Sequence, residues 1–331
     1  MFKKYLLGIV LVGLLVSVFI GSGAVQAEGR VAIVFATGGL GDKAFNDSAY
    51  EGMKLAKEKY RIEFEQAEPT AIAEYETYLT QFAVSRRYDL IISIGFDQAD
   101  ALTNVASRFP EQKFALIDSV VDKPNVASYV YQENERGFLL GVASALMTTK
   151  TDDPRINAAK KIGVIGGMKI PLIDANIAGF IAGAKYVDPE VEVMHSYVGS
   201  WADPAKGKEL TLSMIEKGVD IIWGAAGRSG LGVIKAAEEE NCYGLGADSD
   251  QSYLAPENVL TNGMKLVNNT VLIAIEEVIN DSFSAGTHVL GVKDGALGYT
   301  DSLLPADVIA KVEEVKVKVI NSEIEIPDTV E

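Results

Sequence analysis

A chain of 331 residues is long for one hydrophobic core, so two lobes are expected. At 48% hydrophobic and 23% charged the composition is that of a globular protein, and a net charge of -16 argues against nucleic-acid binding, which needs a basic face. The single cysteine, Cys242, excludes an intrachain disulfide, and the two histidines, His195 and His288, without Cys/His ligand spacing, argue against a metal cage.

Residues 1–27 read as an export signal. Lys3 and Lys4 precede the apolar run Tyr5 to Ile20, and small residues lead to Val25-Gln26-Ala27. The run is also close to spanning length, so cleavage after Ala27 and retention as a membrane anchor both stand. No cysteine lies near this site to take a lipid. Val31 to Ala36 is a short apolar run rich in β-branched residues, expected as a strand buried on both faces. Gly38, Gly39 and Gly41 follow, where backbone must turn tightly, and Ser48 to Tyr60 has the spacing of an amphipathic helix. Such a loop sits at the carboxyl ends of strands, where open α/β sheets bind ligands.

The alternation then repeats. Strands are expected at Tyr60–Glu65, Asp89–Ile94, Lys113–Asp118 and Asn125–Tyr131, with helices at Ala71–Arg86 and Gln98–Arg108. Glu133 to Met147 reads as a long helix whose Gly137, Gly141 and Ala145 suit tight packing. A second alternating half follows, with strands at Lys161–Gly167, Val191–Gly199, Val219–Trp223 and Tyr243–Gly246. Its helices are expected at Asn176–Tyr186, Pro204–Lys217 and Val233–Glu240. Alternating strand and helix implies parallel sheets covered on both faces, and two similar halves imply a cleft between them.

Gly39-Leu-Gly41-Asp-Lys-Ala44 fits the dinucleotide pattern G-x-G-x-x-A, with Glu63 or Glu65 placed for a ribose hydroxyl. An Asp and a Lys inside the loop, and the export signal, weigh against it. Neither a phosphate loop nor a G-x-S-x-G elbow occurs. What recurs is a carboxylate or carboxamide just past a strand end: Asn46, Asp97, Asp118 and Asp248. Aromatics accompany them, Phe45 beside Asn46 and Trp201 in a polar loop. The mixture suits a flat heterocycle bearing a polyol: rings stack on the base and carboxylates accept from neighbouring hydroxyls. Stacking contributes about 1–3 kcal/mol per base and a hydrogen bond to a charged group about 1.5–3 kcal/mol. Two rings and two or three such bonds reach about −8 kcal/mol, a micromolar dissociation constant. Each residue also has a purely structural reading: Phe45 and Trp201 as core, Asp118 and Asp248 as helix caps or lobe bridges, Lys265 as a solvated lysine.

Gly38 to Met53, GGLGDKAFNDSAYEGM, resembles the N-terminal signature of the basic membrane protein (BMP, or PnrA-like) family, substrate-binding components of ABC importers for nucleosides. Ala44 stands where that signature usually has Ser. The similarity continues through Ala115–Asp122, Glu135–Thr148, Lys161–Ile173, Ala178–Val193, Tyr197–Trp223, Ala225–Glu239 and Gly246–Thr261, nearly the whole mature chain. It implies a type I periplasmic-binding fold: two Rossmann-like lobes with parallel sheets, joined by three crossings and closing on the ligand. On that template residues 28–131 plus 265–286 form the N-terminal lobe and residues 132–264 plus 287–331 the C-terminal lobe. The helix near Asn268–Phe283 then returns to the first lobe, with His288 onward in the second. The resemblance puts Phe45 and Trp201 on the two faces of a purine, Asn46 and Asp118 on base edges, and Asp248 and Lys265 on the ribose hydroxyls. The Gly227 backbone lies nearby. Phe is commoner than Trp at position 201, Arg228 replaces a small residue, and many lipid-anchored relatives carry a Cys that this chain lacks.

Two classes of function follow. The first is a non-enzymatic, monomeric receptor that needs no cofactor, capturing a nucleoside outside the cytoplasm for a membrane permease. The same fold could hold a sugar or signalling molecule instead. The second is an enzyme: a dehydrogenase using the Gly39 loop, or an exported nucleoside hydrolase, for which no aspartate metal cluster or acid/base pair is visible.

Overall fold

A computed structural model describes residues 29–330, so the expected export signal lies outside the described residues. The first half of the chain runs β1 (Arg30–Val34), α1 (Phe45–Tyr60), β2 (Glu63–Ala67), α2 (Tyr75–Ser85), β3 (Leu90–Ile94), α3 (Ala99–Arg108), β4 (Phe114–Ile117) and β5 (Val126–Tyr131). The second runs α4 (Glu133–Thr148), β6 (Lys161–Gly166), α5 (Pro171–Val187), β7 (Glu192–Tyr197), α6 (Pro204–Ile215), β8 (Val219–Ala225), α7 (Gly230–Glu239), β9 (Tyr243–Asp248) and β10 (Val259–Lys265). Then come α8 (Val267–Ile279), β11 (Gly286–Leu290), β12 (Leu297–Tyr299) and α9 (Ala306–Ile320).

These strands make two six-stranded sheets, β11-β5-β4-β3-β1-β2 and β12-β10-β9-β8-β6-β7, parallel except for the β10–β12 pair. Every residue of β3, β4 and β8 is buried, as continuous apolar runs under two helical layers require. Apolar clusters fill both faces of the first sheet and both faces of the second. Cys242 is buried in the last of these, and burial pushes its thiol up to about 12. This is the type I periplasmic-binding architecture.

The small residues of α4 do what their spacing implies. A Cβ on Gly137 or Gly141 would collide with the carbonyl of Asn176 or Phe180 in α5, and one on Gly179 or Gly183 with the carbonyl of Asn134 or Phe138 in α4. Glycine at all four positions lets the two backbones touch.

The chain passes between sheets three times, after β5, β10 and β11. Two boundaries differ from expectation. Lys265 is the last residue of β10 and belongs to the second sheet, while β11, including His288, pairs with β5 in the first. The last crossing therefore follows Leu290 rather than residue 286. His288 stacks on Tyr129 with ring centroids 4.8 Å apart, a contact only the first sheet can supply. The crossings brace one another: Gln132 N–H donates to the Leu290 carbonyl at 2.9 Å, and the Tyr131 hydroxyl to Thr270 at 2.7 Å. Smaller differences lie at helix starts. α1 begins at Phe45, and α5 at Pro171, where the fixed proline φ suits a first turn.

Candidate ligand-binding site

The Gly38–Gly41 loop is held from below by Asp42. Its buried carboxylate accepts from the backbone N–H of Ala44, Asn46 and Asp47 at 2.9–3.1 Å, taking up the free donors at the start of α1. Burial holds the Asp42 carboxyl above the usual range, and these three donors offset only part of that rise. Asn46 is also largely committed to the loop. Its Oδ1 accepts from Ala36 N–H at 2.9 Å and its Nδ2 donates to Asp42 at 3.1 Å, leaving one N–H for a guest.

The carboxyl ends of both sheets face a cavity of about 420 Å³, within the range of small-molecule sites. Phe45, Asn46, Asp118, Trp201, Gly227, Asp248 and Lys265 all line it. Phe45 does so while packing on the first lobe's core, so its structural and cleft readings are both met. Trp201 comes from the loop after β7, seated over Gly167, where any Cβ would strike the indole.

One end of the cavity is a buried ion cluster. The Lys265 ammonium, 2% exposed, bonds Asp118 at 2.5 Å and Glu133 at 2.6 Å. The Arg136 guanidinium reaches Glu133 at 2.8 Å and Asp248 at 2.5 Å. Asn176 fills the remaining gaps, donating to Glu133 at 3.0 Å and accepting from Arg136 at 3.1 Å. Three carboxylates thus face two cations, leaving one negative charge in excess for a hydroxyl-bearing guest. Burial pushes the Asp118 carboxyl up to about 6 against the pull of Lys265. In Glu133 burial is outweighed by Arg136 and Lys265 together, which hold the carboxyl low. Burial likewise disfavours a charged Lys265, but Asp118, Glu133 and Asp248 outweigh it and keep the ammonium protonated. The Lys265 nitrogen also lies 5.1 Å from the Phe45 ring centroid and 4.5 Å from that of Tyr131.

The solvated reading of Lys265 is therefore overturned, and Asp118 lies in the same charged knot as Asp248 rather than apart from it. Glu133 and Arg136 were missed by sequence reasoning. Their signal was a polar first turn, Glu133-Asn134-Glu135-Arg136, opening a helix whose remaining residues are small or apolar. Arg228 spans the lobes, its Nη2 donating to the Leu40 carbonyl at 2.5 Å. Gln251 and Ser249 add second-lobe donors to the carbonyls of Lys43, at 2.9 Å, and Ala44, at 3.4 Å. The loops thus meet across the mouth.

A family profile described as Bmp, ABC transporter substrate-binding protein PnrA-like, matches residues 30–330. The chain belongs to the PnrA-like family. Among curated PnrA-like relatives, basic membrane protein A1 of Borrelia garinii is 31% identical, over 93% of this chain and 91% of its own. An uncharacterized lipoprotein of Pyrococcus furiosus is 31% identical over 91% of this chain and 83% of its own. A crystal structure of an ABC transporter system solute-binding protein from Aeropyrum pernix superposes with a TM-score of 0.84 at 30% identity, covering 91% of this chain and 94% of that one. The PnrA-like family is one of substrate-binding proteins that deliver to ABC transporters. No helix of the described residues is long and apolar enough to cross a membrane.

Proposed function

We propose that this protein is an extracytoplasmic receptor that captures a purine nucleoside and presents it, chemically unchanged, to an ABC permease. The observation that carries the reading is the cavity's composition. An aromatic side chain from each lobe, Phe45 and Trp201, lines the same space as a buried cluster with carboxylate in excess. Phe45 and Trp201 stack on the base. Asp118, Asp248 and Lys265 hold the ribose diol, the Gly227 backbone closes over it, and Asn46 uses its one free N–H on a base acceptor.

The nucleoside is the switch for closure: it is held by both lobes at once, so binding shifts the population toward the closed form that a permease recognises. The charged N-terminal head and apolar run support export, with the chain acting as a monomer at the outer face of the membrane or in the periplasm. A sugar reading has some support, because the charged end of the cavity would suit any polyol, and a structural neighbour at 13% identity carries D-allose.

Calorimetry on the chain lacking residues 1–27 tests this with adenosine, guanosine, inosine and D-allose, followed by mass spectrometry of the released ligand. Micromolar binding of a nucleoside, unaffected by EDTA and with the ligand recovered intact, is expected. Heat with the sugar alone, or recovery of free base, would sink it.

A further inference from the structure

Beyond the charged knot, the cavity has a second polar feature. In the first sheet β3 lies between β4 and β1, and it runs through Gly95 into a single 3-10 turn, Phe96–Gln98. That turn puts Asp97 on the cavity wall, one strand away from Asp118. Among the described residues no Lys or Arg pairs with it, in contrast to Asp118 and Asp248. Neighbouring Gln98 does not serve it either, since its amide donates to the carbonyls of Val34 and Ile94 at 2.9 and 2.7 Å.

Asp97 is nonetheless held in place. The buried Tyr75 hydroxyl sits 3.2 Å from both carboxylate oxygens and accepts from the Thr37 N–H at 3.0 Å. With Thr37 donating to it, the hydroxyl has one proton to give, and it gives it to Asp97. A carboxylate has about four acceptor positions, so the Tyr75 hydroxyl and the backbone N–H of Asp97 leave acceptor capacity open at the cavity wall. Burial raises the Asp97 carboxyl, which adds to the benefit of a donor arriving there.

We propose that Asp97 is a specificity-determining residue that selects bases with adjacent N–H donors, guanine above all, and that Tyr75 is its positioning residue. The assignment rests on the nucleoside reading. Guanine offers N1–H and the N2 amino group side by side, a match for two carboxylate oxygens. Inosine keeps only N1–H. Purine riboside has no N–H on that edge, and its N1 lone pair faces the carboxylate unfavourably.

Calorimetry with guanosine, inosine and purine riboside tests this on the unaltered protein and on Asp97→Asn and Tyr75→Phe. The unaltered protein should bind in the order guanosine, inosine, purine riboside, with about 10- to 100-fold between the first and last. Asp97→Asn should weaken guanosine at least about tenfold and leave purine riboside within about threefold, so the ratio collapses. Tyr75→Phe should lower the same ratio by a smaller factor, a change that loss of folding alone would not give. Purine riboside bound as well as guanosine by the unaltered protein overturns the assignment without using any variant. So does a ratio unchanged in Asp97→Asn. No heat with any of the three ligands overturns the nucleoside reading and the assignment with it, and is told apart from a flat ratio by the absence of binding.

Discussion

The two lobes are built on sheets of one strand order, yet they bring opposite charges to the cleft. β4 and β9 hold the same place in their sheets, and each leads to an aspartate in the left-handed region, Asp118 at φ 78° and Asp248 at φ 66°. Aspartate tolerates that conformation better than most side chains, and it turns each carboxylate inward. β3 and β8 also share a place, and each runs into one 3-10 turn, but the middle residue is Asp97 in the first lobe and Arg228 in the second. Lys265, Arg136 and Arg228 all come from second-lobe elements and outnumber that lobe's Glu133 and Asp248, whereas Asp118 and Asp97 come from the first. A repeated frame fixes where a strand-end side chain points; its sign is free to differ. The result is attraction across the cleft, made directly in the Lys265–Asp118 pair.

Removing that attraction should have the largest effect. Lys265→Met leaves Asp118 and Glu133 buried against each other without their shared cation, and should cost about 3–5 kcal/mol in urea unfolding. A loss below about 1 kcal/mol would mean that the cluster relaxes by protonation instead. Next come the rings, one per lobe. Trp201→Ala should weaken nucleosides by about 1–3 kcal/mol while leaving free ribose nearly unchanged; equal losses for both would take Trp201 out of stacking.

Acid should act on the first-lobe aspartate. The Asp118 carboxyl is raised to about 6 in the folded chain from an ordinary 3.8. Between those values the folded chain keeps a proton that the unfolded chain has shed, so this group lowers stability as pH rises through the window. A ligand hydroxyl donating to Asp118 favours the ionised form. Affinity should therefore fall about tenfold between pH 7 and about pH 5, and Asp118→Asn should bind weakly with a flat profile. The smallest effect belongs to the mouth. Arg228→Ala removes one lobe-to-lobe hydrogen bond and should reduce affinity about three- to tenfold with little change in unliganded stability. A drop in unliganded stability as large as the drop in affinity would make Arg228 a structural residue rather than a closing one.

Much of this was legible from the chain. Continuous apolar runs gave the buried strands, glycine spacing anticipated that α4 packs tightly though not against which helix, and strand-end acids pointed to the cleft. Helix starts were less legible, because Phe45 follows closely on the glycine loop and Pro171 reads as a turn residue as readily as a first helical one. The position of β11 was missed because its pairing with β5 lies far along the chain and its sequence, Gly286 to Leu290, has no sustained apolar run. Glu133 and Arg136 were hidden for a similar reason: a charge pair on a helix usually faces water, and only the tertiary packing of Lys265 and Asp248 reveals that this one does not.

The buried thiol has a practical consequence. Cys242 is the chain's one cysteine, is shut inside the core, and holds its proton far above neutral pH, so it should ignore alkylating reagents while the protein is folded. A cysteine introduced on either lip of the mouth would then be the single point that takes a maleimide dye, and domain movement could be followed by fluorescence without first editing the native sequence.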